Sequence, residues 1–308
     1  MRMIPIKGLN AIAWTMTIVG ILLTAGRFWI HWHKNRRFGW DDYLNGIAVL
    51  FLLVFTITFQ IFMPIEYNAQ LYAMGQSDHM PSGRDATLDF KLSLVNGLMV
   101  FCVIYSVKAS FLALYWNIFE YSRRFRMAWG LTAIYTVLSF LASFLAMFWH
   151  CGSPRDSVNR EACQLNYSRQ RLINVLTTWC VLNVVGDLLL MILPIAMLKG
   201  MLMRTSQKVG LALVFSLVLV DIAFDILRTV YTAEMKPEFL DKDSLWAILE
   251  PTIAVIVCAL PCYRHYLSWN VSRGFTSFIN SFQSRSFVAV SEPQLPTIAP
   301  ESSKLSRV

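Results

Sequence analysis

Charged side chains are scarce in this sequence. Asp, Glu, Lys and Arg make up 15% of its 308 residues, whereas hydrophobic residues make up 56% and the mean hydropathy is +0.50. A soluble domain has about 25% charged residues, so this shortage argues against an ordinary water-soluble fold. The apolar runs do not alternate in the segments of about ten residues that are typical of a membrane β-barrel. The composition therefore predicts an all-α, multi-pass membrane protein.

Motifs for catalysis and metal binding are also missing. The chain has 5 His and 6 Cys, but no cluster of His, Cys and carboxylates with metal-ligand spacing. It has no Gly-x-Ser-x-Gly element and no phosphate-binding glycine loop. We therefore expect neither an enzyme nor a bound metal. The net charge of +8 comes from basic residues in predicted loops, so we expect membrane lipids, and no nucleic acid, as their partners.

Long apolar runs dominate the chain instead. A bilayer core is crossed by about 20 residues of α-helix, and Pro64 is predicted to lie in the loop after the second crossing. Residues 1–267 thus form a predicted seven-transmembrane helix bundle. Residues 268–308 form the predicted cytoplasmic tail, either with a short interfacial helix near Phe278 or irregular there, and then disordered. The seven runs are Leu9–Ile30, Tyr43–Met63, Val95–Phe119, Ala128–Trp149, Leu172–Leu198, Val209–Tyr231 and Leu245–Leu267.

Basic residues in the loops indicate the orientation of the bundle. If the N-terminus lies outside, the inner loops and tail hold fifteen Lys and Arg residues, beginning with Arg27, and the outer segments hold ten. We therefore predict a multi-pass protein of the plasma membrane whose N-terminus is outside and whose C-terminus is cytoplasmic.

Cysteine positions agree with this orientation. Cys151 and Cys163 share the predicted outer loop after span four, where an oxidising compartment favours a disulfide; two separate thiols are the alternative. Asn166 begins an Asn-Tyr-Ser sequon in that loop and is a candidate glycosylation site, although it lies close to span five. Cys262, near the inner end of span seven, is either a packed thiol or a palmitoylation site.

Ionisable residues within the spans are the main candidates for a site, because a charge in a bilayer is costly unless it faces the bundle interior and finds a partner. Lys108 and Asp187 both lie about 18–20 Å from the outer edge at 1.5 Å per residue, so we predict that they pair. Glu250 is only about 8 Å deep by the same measure. We therefore predict an outer cluster of Glu250 with Arg228 and Asp225. These groups either fix the helix register, form a ligand or ion pocket, or relay protons.

Two acidic residues begin span two. Asp41 and Asp42 suit the positive N-terminus of a helix and neighbour a basic loop. Helix capping and topology explain them, and a contact for a cytoplasmic partner is the alternative.

Several landmarks follow one another in a recognisable order. The most specific is the run Arg36-Arg37-Phe38-Gly39-Trp40-Asp41-Asp42-Tyr43; Lys108, the two loop cysteines, Asp187 and Glu250 follow it. This order resembles the fungal family of seven-span integral membrane proteins with a fungal rhodopsin-like domain, some of which are receptor-like proteins linked to host-surface sensing in plant pathogens. The resemblance implies a seven-helix bundle and a receptor-like role.

No cofactor is expected, since span seven contains no lysine that could form a Schiff base with retinal. The leading hypothesis is a receptor-like sensor whose outer-half cavity, near Arg228 and Glu250, holds a small molecule. Its inner loops would contact a cytoplasmic signalling partner. The alternative is a transporter or proton-coupled carrier that uses Lys108 and Asp187.

Overall fold

The structure, a computed structural model, describes most of the predicted membrane part of the chain. It covers residues 6–33, 38–73, 75, 82–119, 123–149, 151, 153–155, 157, 159–166, 168–198, 215, 218–220, 222–227, 229–230 and 244–263. These residues belong to the first of the two units into which the chain divides, Met1–Arg264 and His265–Val308. The predicted tail helix lies outside the described residues.

Long helices make up nearly all of these residues, and there is no strand among them. Every helix named below except α5 is long and apolar enough to cross a membrane. The described residues of the 215–230 segment, which fall within the predicted sixth span, are helical as well. The predicted helical membrane bundle is therefore confirmed. The helices are α1 Ile6–His33, α2 Trp40–Ala73, α3 Gly83–Phe119, α4 Arg123–Trp149, α5 Arg160–Asn166, α6 Arg169–Leu198 and α7 Ser244–Tyr263.

The outer surface of these helices is apolar. Large aliphatic side chains such as Leu22, Leu50, Leu131 and Leu138 are at least 60% exposed. A surface of this kind suits lipid rather than water. The opposite faces bury an apolar core that includes Leu52, Val103 and Val255.

Helices α2 and α3 are longer than a bilayer requires. They contain 34 and 37 residues, which at 1.5 Å per residue correspond to about 50 and 55 Å against a hydrocarbon core of about 30 Å. The prediction that Pro64 lies in a loop is wrong, because α2 continues through it. Proline removes one backbone hydrogen bond. Helix α2 packs against α3, and Met63 beside the proline is buried.

The predicted disulfide between Cys151 and Cys163 is confirmed. The two Cα atoms lie 5.0 Å apart, and both side chains are buried. The bond joins the end of α4 to α5, and Ser157 Oγ also donates a hydrogen bond to the carbonyl of Phe148 over 2.6 Å. Asn166 is the last residue of α5, and its glycosylation stays a prediction.

We expect Cys151→Ser and Cys163→Ser to destabilise the protein equally, because either change opens the same bond. A bridge over 12 residues restricts the unfolded chain, and the chain-entropy model gives about 3 kcal/mol for it. Thermal unfolding in detergent, with and without a reductant, measures the effect. The reductant should lower the unfolding temperature of the parent and of a Cys102→Ser control, but not that of either variant. A further loss in the variants would contradict the prediction.

Candidate functional site

Lys108 and Asp187 form an ion pair in the interior of the bundle, as their equal depth predicted. Lys108 Nζ on α3 lies 3.0 Å from Asp187 Oδ1 on α6, and the two side chains are only 4% and 7% exposed. The same ammonium donates a hydrogen bond to the carbonyl of Asn183, one turn earlier on α6, over 2.8 Å. One cation therefore holds two groups of a neighbouring helix.

A glycine allows this close approach of α3 to α6. A Cβ atom on Gly186 would lie 3.2 Å from Lys108 Nζ and 3.6 Å from a ring carbon of Tyr135. The ammonium also lies 5.7 Å from the ring centroid of Tyr105, within the range of a cation–π contact. The pair is thus enclosed by aromatic rings and helix backbone.

Asp225 belongs to the same polar group as Lys108. Its Oδ2 accepts a hydrogen bond from Asn183 Nδ2, and its charge acts on Lys108. We call Lys108, Asn183, Asp187 and Asp225 the Lys108 cluster. Arg228, the predicted cation of the outer cluster, lies outside the described residues, so its pairing stays a prediction.

Glu250 lies near the Lys108 cluster as well. Its side chain is fully buried in α7, and its charge acts on Asp187. The pairing of Glu250 with Arg228 stays a prediction, because Arg228 lies outside the described residues.

A narrow cleft begins beside the ion pair. It lies between α3, α6, α7 and the 215–230 segment and spans about 530 Å³ of space free of protein atoms, part of which is open solvent at its mouth. Lys108 and Asp187 supply its charges. This cleft extends along α3 from Lys108 towards Tyr115. The expected cavity near Arg228 and Glu250 stays a prediction, because Arg228 lies outside the described residues. The remaining lining is aromatic or aliphatic: Ile104, Val107, Phe111, Tyr115, Leu190, Met191, Phe215, Val218, Ala254 and Val257.

A second buried ion cluster lies where α1 connects to α2, at what we call the α1–α2 end. The guanidinium of Arg27, 1% exposed, donates from Nε to Asp42 Oδ1 over 2.7 Å and from Nη2 to Asp41 Oδ2. Its Nη1 donates to the carbonyl of Cys258 on α7 over 2.8 Å. His31 Nδ1 lies 2.7 Å from Asp42 Oδ2. We call Arg27, His31, Asp41 and Asp42 the Arg27 cluster.

Asp41 and Asp42 also shape the start of α2. The carbonyl of Gly39 accepts the amide of Asp42, and Asp42 Oδ2 accepts the amide of Gly39 over 3.1 Å. This reciprocal arrangement is half of a capping box, so the capping explanation is confirmed for Asp42. The alternative of a contact with a cytoplasmic partner is wrong for these two side chains, since both are buried in the bundle.

Helix α3 completes the cluster. Ser110 Oγ donates to the carbonyl of Asp41 over 2.7 Å, and Asn117 Nδ2 donates to Asp41 Oδ1 over 3.3 Å. The other residues of the specific run differ in placement: Trp40 and Tyr43 are exposed, and Arg36 and Arg37 lie outside the described residues.

Arg27 and His31 are site residues that were not predicted from the sequence. Arg27 was counted among the basic residues of a loop, but it lies within α1 and is buried. A signal was present, because residues four apart share one helix face and Arg27 and His31 therefore point the same way. The packing of α1 against the start of α2 places that face beside Asp41 and Asp42.

Fold and site together define a multi-pass helical membrane protein with two buried ion clusters. The sequence model of one family, the fungal rhodopsin domain, matches residues 26–269. The chain therefore belongs to the fungal rhodopsin domain family. The match begins just before Arg27 and includes all of α7, so it spans both clusters. No curated protein and no solved structure matches the chain.

The family's name raises the question of retinal, and the residues present do not fit it. A retinal Schiff base needs a lysine amine, and α7 contains no lysine. Lys108 lies on α3 and is held by Asp187 and by the carbonyl of Asn183. We therefore assign no retinal link to the cleft.

Proposed function

We propose that the protein is a receptor-like sensor of a small molecule, acting without retinal and without enzymatic turnover. It would lie in the plasma membrane with its N-terminus outside and the α1–α2 end in the cytoplasm. One observation carries the proposal: two residues that line the cleft are direct chain neighbours of residues that hold the Arg27 cluster. Phe111 and Val257 line the cleft, and their chain neighbours Ser110 and Cys258 bond Asp41 and Arg27.

This adjacency gives a physical route from ligand to signal. A molecule that enters the cleft displaces α3 or α7, and the next residue on each helix belongs to the bonds that fix the α1–α2 end. The route is effective only if the ligand binds one arrangement of these helices better than another. A signalling partner would then read the change at the cytoplasmic surface, where the sequence places Arg123, Arg124 and Arg126 after α3.

The lining indicates the chemistry of the ligand. Asp187 Oδ2 is buried, and no donor among the described residues bonds to it. A hydroxyl group could donate to that oxygen, while the narrow apolar walls suit an unbranched hydrocarbon chain. We therefore propose slender amphiphiles with one hydroxyl group, for which octanol is a convenient probe.

We expect octanol to raise the thermal stability of the purified protein more than methyl octyl ether does. The ether has a similar chain but no hydroxyl donor, so a buried acceptor stays unpaired. A ligand at about 100 times its Kd stabilises the folded state by about 2.7 kcal/mol. The measurement is thermal unfolding in lipid nanodiscs over a series of probe concentrations.

Two neighbouring substitutions control for the site. Met191 lines the cleft, and we expect Met191→Trp to fill it and abolish the stabilisation by octanol. Ile192 is 56% exposed on the outer surface, so Ile192→Trp should leave the stabilisation unchanged. Equal stabilisation by alcohol and ether, or equal behaviour of the two variants, would refute this ligand site.

A proton-coupled carrier is the second candidate. The observation that favours it is the continuous polar path from Asp187 through Lys108 and Asn183 to Asp225. Proton flux into vesicles that contain the purified protein tests it. Flux that disappears in the paired variant Lys108→Met with Asp187→Leu would replace the receptor proposal.

A further inference from the structure

Three side chains at the α1–α2 end are aligned as a thiol, an imidazole and a carboxylate. Cys262 Sγ lies 3.4 Å from His31 Nε2, and His31 Nδ1 lies 2.7 Å from Asp42 Oδ2. They come from α7, α1 and α2, so only the folded bundle brings them together. Cys262 is not in a disulfide.

The partners of His31 fix the direction of its hydrogen bonds. A carboxylate only accepts hydrogen bonds, so the imidazole proton must lie on Nδ1, facing Asp42. The second nitrogen, Nε2, faces the thiol of Cys262 and accepts its hydrogen bond when it carries no proton. Asp42 is itself held, because Arg27 donates to one of its oxygens and the amide of Gly39 donates to the other.

This is the arrangement of an activated nucleophile. A thiol is a weak nucleophile until a neighbouring base takes its proton, and the base works best when a third group orients it. When His31 takes the thiol proton, its new positive charge faces the carboxylate of Asp42 directly. A merely packed thiol needs neither the oriented imidazole nor the held carboxylate.

The depth of the thiol indicates its reaction partner. Trp29, Trp32, Trp40 and Tyr43 surround this end and are 55–78% exposed, as in the aromatic belt at a membrane surface. Cys262 is half-buried and His31 is 18% exposed, so reagents at this depth can reach them. A long-chain acyl-CoA places its chain among the lipids and its thioester near the headgroups.

We propose that Cys262 is an S-acylation site that takes its acyl group directly from a long-chain acyl-CoA. His31 accepts the thiol proton, and Cys262 Sγ attacks the thioester carbonyl. The new sulfur–carbonyl bond forms, the carbonyl–sulfur bond to CoA breaks, and His31 returns the proton to the CoA thiolate. The products are acyl-Cys262 and CoA, once per chain. In cells this rests on the proposed orientation, which places the α1–α2 end on the side where acyl-CoA occurs.

The test uses the full chain in lipid nanodiscs with palmitoyl-CoA and no other protein. We expect one hydroxylamine-sensitive acyl group per chain, measured by intact-protein mass and mapped to Cys262. Cys262→Ser should abolish it and Cys102→Ser should not change it. General bases contribute about 10²–10⁴-fold, so His31→Gln should slow acylation by about tenfold or more. Added imidazole should restore part of the rate in His31→Ala, which a purely structural role of His31 would not explain.

Three results would overturn the proposal: no acylation of Cys262, equal acylation of Cys102 and Cys180, or an unchanged rate in His31→Gln together with no imidazole effect in His31→Ala. Nanodiscs expose both faces of the bilayer, so this test does not depend on orientation. An epitope placed after Val308 and stained in intact and permeabilised cells tests the orientation separately. Staining of intact cells would refute the proposed orientation and leave the thiol chemistry standing.

Discussion

Replacing Arg27 by methionine is expected to be among the most damaging single changes in this protein. Arg27→Met removes the cation that Asp41 and Asp42 share and leaves two buried carboxylates without their main partner. Removing one partner of a buried ion pair typically costs about 3–5 kcal/mol, and this change also removes a hydrogen bond to Cys258. Thermal unfolding in detergent measures the loss, and the yield of folded protein should fall with it.

Two further variants control for this result. Arg27→Lys keeps the positive charge, but a single ammonium cannot match the fork of three nitrogens that reach Asp42, Asp41 and the carbonyl of Cys258. We expect an intermediate loss. Leu22→Met, on the exposed surface of the same helix, should be neutral. If Arg27→Met unfolded at the parent temperature, the Arg27 cluster would have no part in holding α1, α2 and α7 together.

Removing both charges of the Lys108–Asp187 pair should destabilise the protein much less than removing either charge alone. Lys108→Met alone leaves Asp187 buried without its cation, and Asp187→Leu alone leaves the ammonium with only the carbonyl of Asn183 and the nearby Asp225. Each single change should cost about 3–5 kcal/mol. The paired variant should recover most of that loss, because well-packed apolar side chains can replace a buried ion pair at little cost. Thermal unfolding of all four proteins completes the cycle.

The outcome separates structure from function. If the two losses simply add, Lys108 and Asp187 are not coupled, and the ion pair is not the feature that holds α3 against α6. If the paired variant folds well, it becomes the reagent for the functional tests, because octanol stabilisation and proton flux can be measured in a stable protein without the charges. Val181→Leu, on the exposed surface of α6, is the matched control.

Local patterns in the sequence predicted those features of the fold that depend on a single helix, such as its length and the height of a residue along it. Apolar length identified the spans, and counting residues along two of them placed Lys108 and Asp187 at one height. The same counting grouped Glu250 and Asp225 with Arg228, and that grouping stays a prediction because Arg228 lies outside the described residues. The helix-breaking tendency of proline was a poor guide at Pro64, because α2 continues through that residue.

The Arg27 cluster was missed for a different reason. An arginine near the end of a span is typical of an inner loop, and acidic residues at a helix start are typical of a cap. Each interpretation was reasonable alone, and Asp42 does cap α2. What neither pattern contains is the packing of α1 against the start of α2, which places both features side by side. Contacts between helices depend on rotation about each axis, and near-uniform hydrophobicity leaves that rotation undetermined.

The hydrogen bond from Arg27 to the carbonyl of Cys258 also bears on the position of Cys262. In an α-helix the oxygen of residue 258 also receives the amide hydrogen of residue 262. The atom that Arg27 grips is therefore the backbone acceptor for the turn that carries the Cys262 thiol. Loss of the hydrogen bond from Arg27 would loosen the turn of α7 that ends at Cys262 and would move Cys262 Sγ away from the imidazole of His31. Acylation of Cys262 would therefore depend on whether α1, α2 and α7 are packed together at the α1–α2 end.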